Sequence, residues 1–353
     1  MGHTALILGD QLSHANPALE GATRVLMIES RAALGRLRCH RARRHLVLSS
    51  MRHLAAELRE AGVDVVYEQR DTMHDALAEH DGVVCAAPND AGARARLAKA
   101  GVRFVASTQF LTDPERFADW AGSRGRLVME DFYSDQRRRF DVLMEPDGKP
   151  AGGRFNYDKD NRRPPKEGLS APAPYRPEED EIDLRVRRDL DALDLPEFGE
   201  CLRQAMTDVR ESGYAHPLMV LGNLQLLLGV KPWESVEWFR SAFVDGAEWV
   251  MAPNAVGMAT WADGGAMMTK PYAACGRYID RMSRFCGDCR FTPTKRTGDD
   301  ACPVTQLYWD FMASNHDALA SNRRMRNQVR MVERFDADEL AEVRAGRRPS
   351  SDA

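Results

Sequence analysis

The residues best suited to chemistry are three cysteines in the last quarter of the sequence. Cys286 and Cys289 are separated by two residues, and Cys302 follows after a further twelve. Two thiolates at this spacing bind one metal centre from a single turn, and a third reaches it from a short loop. The pattern predicts an iron–sulfur cluster or a zinc ion. The alternative is a trio of redox-active or merely buried cysteines.

A cubane cluster or a tetrahedral zinc ion needs a fourth ligand. No histidine lies at zinc-finger spacing from the three cysteines, so the candidates are the other cysteines, Cys39, Cys85, Cys201 and Cys275. Cys201 is attractive because it opens a predicted helix over 202–212, where the helix dipole stabilises a thiolate. The spacing leaves the choice among the four open.

The first third of the chain alternates short apolar runs with helical stretches. Met51–Ala61, Thr72–His80 and Ala91–Ala100 are the predicted helices. Continuous apolar strands separated by helices of this length predict a parallel sheet with right-handed crossovers. We therefore expect a Rossmann-like α/β domain over 1–125, whose strands are Ala5–Leu8, Val25–Ile28, Leu46–Leu48, Val63–Tyr67, Val83–Ala86 and Val102–Ala106.

The end of the first strand is a candidate ligand site. This domain has neither a dinucleotide-binding nor a phosphate-loop glycine motif, and its first strand ends in Leu8-Gly9-Asp10-Gln11. Ligands of open α/β sheets bind at the carboxyl ends of the strands, so Asp10 and Gln11 are placed to hold a small molecule. The alternative is an ordinary turn in which Gly9 supplies backbone freedom and Asp10 caps a helix.

The rest of the chain divides into three predicted parts. Polar sequence rich in proline and glycine forms a long connecting segment over 126–200, and 336–353 is a flexible tail. Between them, 201–335 is predicted to be all-α. Its clearest predicted helices are Leu218–Leu228, Glu234–Met251 and Gln306–Ala320.

The formal net charge of −4 hides an uneven distribution. Two segments are basic: Ser134–Lys166 has 9 basic and 6 acidic residues, and Lys270–Arg334 has 12 basic and 7 acidic residues. The segment Glu178–Glu211 is acidic, with 12 acidic and 5 basic residues. Nucleic-acid affinity depends on local basic patches, so the total charge does not exclude DNA as a partner. Aromatics interleaved with arginines in the first basic segment could stack bases and pair phosphates. The alternative is a solvated, arginine-rich surface.

Composition excludes several other classes of protein. Hydrophobic residues make up 43% of the sequence and charged residues 29%, which is ordinary for a globular protein. No apolar run approaches the ~18 residues of a membrane span. The first residues do not form a signal peptide, and seven cysteines argue against a secreted disulfide scaffold. We expect a cytoplasmic protein.

Several further motifs, together with the cysteines, resemble one family: the iron–sulfur bacterial cryptochromes and photolyases, also described as prokaryotic (6-4) photolyases. The resemblance covers about 1–175 and 200–335. The motifs are Leu6-Ile-Leu-Gly-Asp-Gln-Leu12, Ser49-Ser-Met-Arg-His53, Met129–Arg139, Gly153–Asn156, Gly213-Tyr-Ala-His216, Leu221-Gly-Asn223, Ala252-Pro-Asn254, Ala262–Gly265, Thr269–Tyr272 and Tyr278–Ser283.

The resemblance implies a light-driven flavoenzyme in which reduced FAD transfers an electron to pyrimidine photoproducts in UV-damaged DNA. A [4Fe–4S] cluster would bind Cys201, Cys286, Cys289 and Cys302, and a lumazine antenna would lie near Asp10, Gln11 and Glu29. FAD would occupy the helical domain. The implied FAD contacts are Asn223, Asp245, Asn254, Met258, Asp263, Gly264 and Gly265, and the implied catalytic residues are His216, Tyr272 and Trp238.

The sequence also departs from this family. The first half of the helical domain is missing, and one histidine, His216 before Pro217, stands where the family has two. Phe239 replaces the tyrosine of a Trp-Tyr pair, and Met251 stands where the family has an acidic residue. These departures keep an alternative open: a cryptochrome-like or iron–sulfur DNA-binding relative that no longer repairs DNA. A poorly folding product of an internal deletion is a third possibility.

Overall fold

The computed structural model describes residues 2–157, 178–196, 217–243, 246–283 and 286–345. Those residues fall into two compact units. Unit 1 takes the described residues within Met1–Ser123, Pro174–Glu200 and Glu237–Met251. Unit 2 takes those within Arg124–Ala173, Cys201–Val236 and Ala252–Ala353.

Unit 1 is built on a five-stranded parallel sheet. The strands are β1 (His3–Leu6), β2 (Ala22–Ser30), β3 (Val65–Arg70), β4 (Val83–Ala86) and β5 (Arg103–Val105), in the order β3-β2-β1-β4-β5. All neighbouring pairs are parallel. The strand order reverses between β1 and β4, and open α/β sheets form a ligand crevice at such a point. The predicted α/β domain is confirmed.

Helices connect the strands of unit 1 and make up nearly all the regular structure of unit 2. In chain order the described helices are α1 (Arg31–Arg36), α2 (Arg41–Glu60), α3 (Met73–Leu77), α4 (Ala91–Lys99), α5 (Pro114–Gly122), α6 (Met129–Arg139), α7 (Glu181–Ala192), α8 (Pro217–Leu228), α9 (Pro232–Ala242), α10 (Glu248–Ala252), α11 (Gly276–Met282), α12 (Pro303–Ser314), α13 (His316–Ala320), α14 (Arg326–Val332) and α15 (Ala337–Ala345). Of these helices, none has the length and hydrophobicity to cross a membrane.

The strand predicted at Leu46–Leu48 is wrong, because these residues lie inside helix α2. Leu48 is buried, whereas Leu46 is 51% exposed, as the two sides of a helix require. Leu48 begins the buried stripe that continues through Met51, Leu54 and Leu58 at helical spacing. A short apolar run at the edge of such a stripe is easily mistaken for a strand.

The core of unit 1 lies on both faces of the sheet. Ala5, Ile7, Val25 and Met27 pack with helix α2 on one face, while Leu6, Leu26, Val83 and Cys85 pack with α3 and α4 on the other. Successive residues of a strand point to opposite faces, so strands buried on both faces are continuously apolar.

Two predicted helices of the second half are interrupted. Glu234–Met251 is divided into α9 and α10, and Gln306–Ala320 is divided between α12 and α13 near Asn315. Asn315 ends α12 and its amide Nδ2 donates back to the Phe311 carbonyl (2.9 Å), which closes the helix. The all-α prediction for this part of the chain agrees with the described residues, which form helices and connecting loops.

Candidate functional site

The three cysteines lie around one loop of unit 2. Cys286 and Cys289 occupy the segment after helix α11, and Cys302 immediately precedes α12. An ion pair between Lys295 Nζ and Asp300 Oδ2 (2.8 Å) closes the loop, and the Cys302 amide donates to the Lys295 carbonyl (3.1 Å). Cys302 therefore stands at the amino end of a twelve-residue helix, where the helix dipole favours a thiolate.

The three thiols are close enough to influence one another. Partial burial is the main cause that raises the pKa of Cys286, and the charges of Asp280, Cys302 and Cys289 raise it further. Thiolates that repel one another in this way are stabilised by a metal, which binds them in the charged form. The donor set is that of a soft, thiolate-bound metal centre.

The spacing of the sulfurs bears on which metal centre fits. Within the ranges that the structure describes, the sulfurs of Cys286, Cys289 and Cys302 do not all lie within 4.8 Å of one another. The sulfur ligands of one tetrahedral zinc ion, each ~2.3 Å from the metal, lie about 3.8 Å apart. At least one pair of these sulfurs is therefore farther apart than the ligands of one zinc ion would be.

Gly276 is packed directly against the cysteine site. A Cβ atom added to it would lie 2.7 Å from Cys302 Sγ and 2.8 Å from the Pro293 carbonyl oxygen. The Gly276 amide donates to Thr305 Oγ1 (3.0 Å), which itself donates to the Pro293 carbonyl (2.7 Å). Only glycine fits here, because any side chain would displace the Cys302 sulfur or the surrounding backbone.

The four candidates for the fourth ligand lie in different places. Cys201 lies outside the described residues, while Cys39 and Cys85 are buried in unit 1. Cys275 precedes the glycine that touches Cys302 and is half-buried. Burial, followed by the charge of Cys275, raises the pKa of Tyr308 to about 12.

Five of the expected FAD contacts come together in unit 2. Asn254 and Met258 lie on a π-helical turn over Pro253–Ala259, and Asp263, Gly264 and Gly265 form the turn that follows. The two turns are packed together, since a Cβ on the intervening Gly257 would lie 3.1 Å from Asp263 Oδ2. π-helical turns are frequent at functional sites.

The carboxylate of Asp263 shapes its own turn. It accepts the Gly265 amide (2.9 Å) and the Met267 amide (2.7 Å). Trp261 has a positive φ of 52° and donates from Nε1 to the Met268 carbonyl (2.9 Å), which fixes the other side of the turn. Gly264 also has a positive φ, and the space where a Cβ would lie is open, so a ligand can approach its backbone closely.

Asn223 and Tyr272 flank the approach to helix α11. The buried amide of Asn223 donates to the Ala274 carbonyl (3.1 Å) and accepts from the Ala274 amide (2.8 Å). This pair ties helix α8 to the segment that follows Tyr272, which is half-buried. Asn223 thus fixes the backbone that leads into helix α11.

Trp238 belongs to a cluster of rings in unit 1. Its ring lies 5.1 Å from Phe239 and 6.0 Å from Phe243, both edge-on, and Phe239 is fully buried. Trp238 and the two turns of unit 2 are therefore in different units. Three other expected site residues, Cys201, His216 and Asp245, lie outside the described residues.

Two of the three residues expected to contact the antenna, Gln11 and Glu29, form hydrogen bonds with other groups of unit 1. Gln11 is buried and donates from Nε2 to the Ala86 carbonyl (2.9 Å), which joins the loop after β1 to β4. The carboxylate of Glu29 accepts two bonds from Arg52 (2.7 and 2.9 Å) and others from Tyr67 and Gln69. Burial and the Glu29 carboxylate raise the pKa of the Tyr67 hydroxyl above its usual range.

Asp10 lines a cleft at the carboxyl ends of the strands. The cleft has a volume of about 850 Å³ and lies within unit 1, with Ser30, Thr72 and Asp90 contributed by the ends of other strands or the turns after them. Desolvation, followed by the charge of Asp90, raises the pKa of Asp10, against the lowering effect of a backbone hydrogen bond. This is the crevice that the strand order predicts.

The cleft also contains cations that were not among the predicted site residues. Arg43 and Arg44 come from the start of helix α2, and Arg240 comes from α9, nearly two hundred residues later. The basic run Arg41-Ala-Arg43-Arg44 was the one available signal, because α2 follows the end of β2. Nothing local points to Arg240.

In the basic segment of unit 2, arginines pair with aromatic rings. The guanidinium of Arg138 lies 4.6 Å from the Phe155 ring centre, and that of Arg154 lies 4.2 Å from Tyr157. Arg137 is buried, donates to the Val142 carbonyl (3.1 Å) and also lies over Phe155. Cationic groups beside flat rings are the elements from which single-stranded nucleic-acid sites are built.

The fold and its candidate sites define a protein with a parallel α/β unit that contains a ligand cleft and a helical unit that contains a thiolate site. A family profile described as "Deoxyribodipyrimidine photo-lyase-related protein" matches residues 5–205. The chain belongs to this family.

Two relatives extend the comparison. A protein of Agrobacterium fabrum named "(6-4) photolyase" is 27% identical over 498 aligned positions, which cover 98% of this chain and 98% of the relative. The alignment is longer than the chain, so the relative has positions without a counterpart here. "Uncharacterized protein R855" of Acanthamoeba polyphaga mimivirus is 29% identical over 99 residues, covering 28% of this chain and 73% of the relative.

Proposed function

We propose that the protein is a photolyase-type flavoprotein that uses light to repair pyrimidine photoproducts in UV-damaged DNA. The observation that carries this proposal is the similarity to a relative named a (6-4) photolyase over 98% of both chains. The α/β and helical parts of the chain are both included in that alignment.

FAD is proposed to bind unit 2 at the turns that carry Asn254, Met258 and Asp263–Gly265. One observation supports this site. The backbone at Gly264 is open, so a ligand can approach it closely, and the neighbouring turn is fixed by the hydrogen bonds of Asp263. When bound, reduced FAD would supply the electron for repair. Asn223 and Asp263 would position the surrounding backbone, and Asp245 is a further proposed contact.

The metal centre is proposed to be a [4Fe–4S] cluster on Cys201, Cys286, Cys289 and Cys302. Three of these thiols surround one loop, at a spacing wider than one zinc ion requires. Gly276 leaves room for the Cys302 sulfur. The cluster would join the loop after α11 to the start of α12, and Cys201 would attach a more distant part of the chain.

DNA is the proposed substrate, and a flipped lesion would have to reach the flavin. The arginine and aromatic pairs around Phe155 and Tyr157 would hold the phosphates and stack bases. His216, Tyr272 and Trp238 are the proposed catalytic residues. His216 would contact the flavin or the lesion, Tyr272 would face the lesion, and Trp238 would carry electrons to the flavin.

A cryptochrome-like or iron–sulfur DNA-binding protein without repair activity is the second candidate. The sequence favours it at two positions: one histidine, His216, precedes Pro217, and Phe239 follows Trp238. A phenylalanine cannot lose a proton after oxidation as tyrosine can, so this route to reduced flavin would be weaker. Restoring it with Phe239→Tyr would then speed the photoreduction of the flavin.

Repair of a defined lesion tests the proposal. Protein purified without air is illuminated with an oligonucleotide that contains one (6-4) photoproduct, and in parallel with one that contains a cyclobutane dimer. We expect light-dependent restoration of normal bases in one of them and none in the dark. Loss of neither lesion, with flavin and iron both bound, would favour the second candidate. His216→Ala should abolish repair while DNA binding persists.

A second chromophore is proposed for unit 1, in the cleft beside Asp10. The resemblance implies a lumazine there, held by Asp10, Gln11 and Glu29. Of these three, Asp10 lines the cleft, whereas Gln11 and Glu29 are bonded to groups of unit 1. Gln11 and Glu29 would therefore act by shaping the sheet edge. Light absorbed here would be passed on to the flavin.

A further inference from the structure

A histidine and two aspartates from different helices of unit 1 meet outside the cleft. His53 lies in α2, Asp180 caps the start of α7, and Asp183 lies in the first turn of α7. One ligand atom from each residue lies within 4.8 Å of the other two. The nitrogen and oxygen ligands of one tetrahedral ion lie about 3.4 Å apart. Small side-chain movements would therefore bring all three atoms to one metal ion.

The packing of α7 against α2 fixes this meeting point. Val186 and Leu190 of α7 are buried in the same apolar cluster as Met51 and Leu54 of α2. The two helices are therefore held together by the core of unit 1. Ligands on such rigid elements need little rearrangement to bind an ion.

The two carboxylates are oriented by the backbone of α7. Asp180 Oδ1 accepts the Ile182 amide (2.8 Å), while its Oδ2 faces His53. Asp183 Oδ2 accepts the Asp180 amide (3.1 Å), while its Oδ1 faces α2 and accepts the Ser49 hydroxyl (2.5 Å). Each aspartate thus uses one oxygen to close the helix end and directs the other towards α2.

The imidazole of His53 is held in the tautomer that a metal requires. Its Nδ1 lies 2.8 Å from the Ser49 carbonyl oxygen, which can only accept a hydrogen bond, so Nδ1 carries the proton. The Ser49 hydroxyl does not compete as a donor to Nδ1, because it donates to Asp183. The lone pair of the neutral ring is therefore on Nε2. A metal-binding histidine commonly donates its other nitrogen to a backbone carbonyl in this way.

The lone pair on Nε2 faces a second acceptor. Asp180 Oδ2 is 3.0 Å away, and two acceptors at this distance need a cation between them, which is either a proton on Nε2 or a metal ion. Within the described ranges, neither aspartate is ion-paired with a lysine or an arginine, and Arg187 of the same helix pairs with Glu179 instead. With a neutral imidazole the cluster has two negative charges that no other side chain neutralises.

We propose that His53, Asp180 and Asp183 bind one divalent transition-metal ion, with water as the remaining ligands, and that this ion joins α2 to α7. An imidazole in the ligand set favours Zn²⁺ over Mg²⁺ or Ca²⁺. The Asp180 side chain is 55% exposed, so the ion and its water ligands have access to the site. The inference does not rest on the proposed function.

Zinc affinity of the full-length protein tests this site. Wild type, His53→Gln and Asp180→Asn are titrated with zinc chloride by calorimetry, at a pH above the midpoint of His53. We expect each variant to weaken one zinc site per chain at least about tenfold, since even outer-shell partners of a metal contribute ~10–100-fold in affinity. Asparagine is as good a helix cap as aspartate, so Asp180→Asn changes the ligand and keeps the helix.

His14→Gln is the matched control. His14 Nε2 lies 2.8 Å from Glu57 Oε2 on the same face of exposed surface, but this pair forms no three-ligand group with other described residues. Its loss should leave zinc affinity unchanged. Zinc bound by the cysteines of unit 2 would be the same in all of these variants, so it cannot imitate the expected difference.

A readout on the wild-type protein needs no variant. In NMR spectra, saturating zinc should abolish the pH titration of His53 and leave that of His14. A His53 that still titrates under saturating zinc would show that a proton alone occupies the pair and would overturn the inference. Equal zinc affinity in wild type, His53→Gln and Asp180→Asn would also overturn it. None of these outcomes depends on light, flavin or DNA, so failure of the proposed repair function would appear only in the lesion assay.

Discussion

The two units stabilise their buried polar groups in different ways. In unit 1 the Glu29 carboxylate is satisfied by Arg52, Tyr67 and Gln69, and the sheet needs no further group to close it. In unit 2 three cysteines surround a loop between short helices, where burial and then the neighbouring acidic group and thiols raise the pKa of Cys286. Unit 1 thus satisfies this buried charge with its own side chains, whereas the thiols of unit 2 are the donor set of the metal centre proposed above.

The largest effect is expected from breaking the metal site. Cys289→Ser should remove iron from the protein and unfold the loop after α11, because binding free energy at a structural metal, on the order of 10 kcal/mol for zinc, is also folding free energy. Iron content and amide hydrogen exchange of α11 and α12 measure the effect. The strands of unit 1 should keep their protection.

Two further cysteine variants identify the fourth ligand. Cys201→Ser should lose iron as Cys289→Ser does, and Cys275→Ser should retain it, although Cys275 lies beside the glycine that contacts Cys302. The reverse result would assign the fourth position to Cys275 and contradict the ligand set proposed above.

Breaking the buried ion pair between Glu29 and Arg52 should lower the stability of unit 1. Glu29→Gln leaves the Arg52 guanidinium, which is only 11% exposed, paired with the more exposed Asp189 (2.6 Å) but without its buried carboxylate. Removing one member of a buried pair typically lowers stability by about 3 kcal/mol or more. Hydrogen exchange of the slowest-exchanging amides of β1 and β2 measures this loss of stability. The exposed pair Arg24–Asp64 is the control, and Asp64→Asn should change stability by less than about 1 kcal/mol.

A smaller effect is expected from Gly276→Ala. The added methyl group would lie 2.7 Å from Cys302 Sγ, and overpacking of this kind lowers stability by ~1–3 kcal/mol. Chemical denaturation and the rate of iron release to a chelator measure it. Gly122→Ala, at the end of exposed helix α5 with open space around it, is the matched control and should be neutral or slightly stabilising. Equal iron release in the two variants would show that Gly276 is not part of the metal site.

The smallest effect concerns a surface contact of unit 1. Desolvation lowers the pKa of His53, but hydrogen bonds from its ring to the Ser49 carbonyl and the Asp180 carboxylate outweigh it, so the pKa of His53 is raised. A raised histidine pKa stabilises the folded state below the unfolded value of ~6.5 and loses this effect as the pH rises through the folded value. NMR titration should show the His53 midpoint fall in Asp180→Asn, with little change in stability. An unchanged midpoint would contradict the contact at 3.0 Å.

Local sequence pattern predicted the regular parts of the fold and failed where distant segments meet. Strands such as Val83–Ala86 could be predicted from their continuous apolar sequence, because a strand buried on both faces has no polar positions. The apolar run Leu46–Leu48 was wrongly predicted to be a strand, because three residues are too few to distinguish the helical periodicity from that of a strand. The hydrogen-bond partners of Glu29 come from β3 and α2. The sequence around Glu29 does not predict them.

The candidate sites show the same division. The spacing of Cys286, Cys289 and Cys302 predicted a metal centre because three candidate ligands lie within a stretch of seventeen residues. The cationic lining of the cleft was missed, because Arg44 and Arg240 are nearly two hundred positions apart and are brought to one cleft by the fold. Asn223 was expected to contact the flavin, while its amide is occupied by Ala274.

Unit 2 is proposed to contain both a flavin and an iron–sulfur cluster. The most direct test is the absorption spectrum of protein purified without air, with iron, sulfide and extracted flavin quantified per chain. We predict flavin bands and, for a [4Fe–4S] cluster bound by four thiolates, about four irons per chain. Zinc in place of iron would contradict the cluster, and iron without flavin would contradict the photolyase-type reaction.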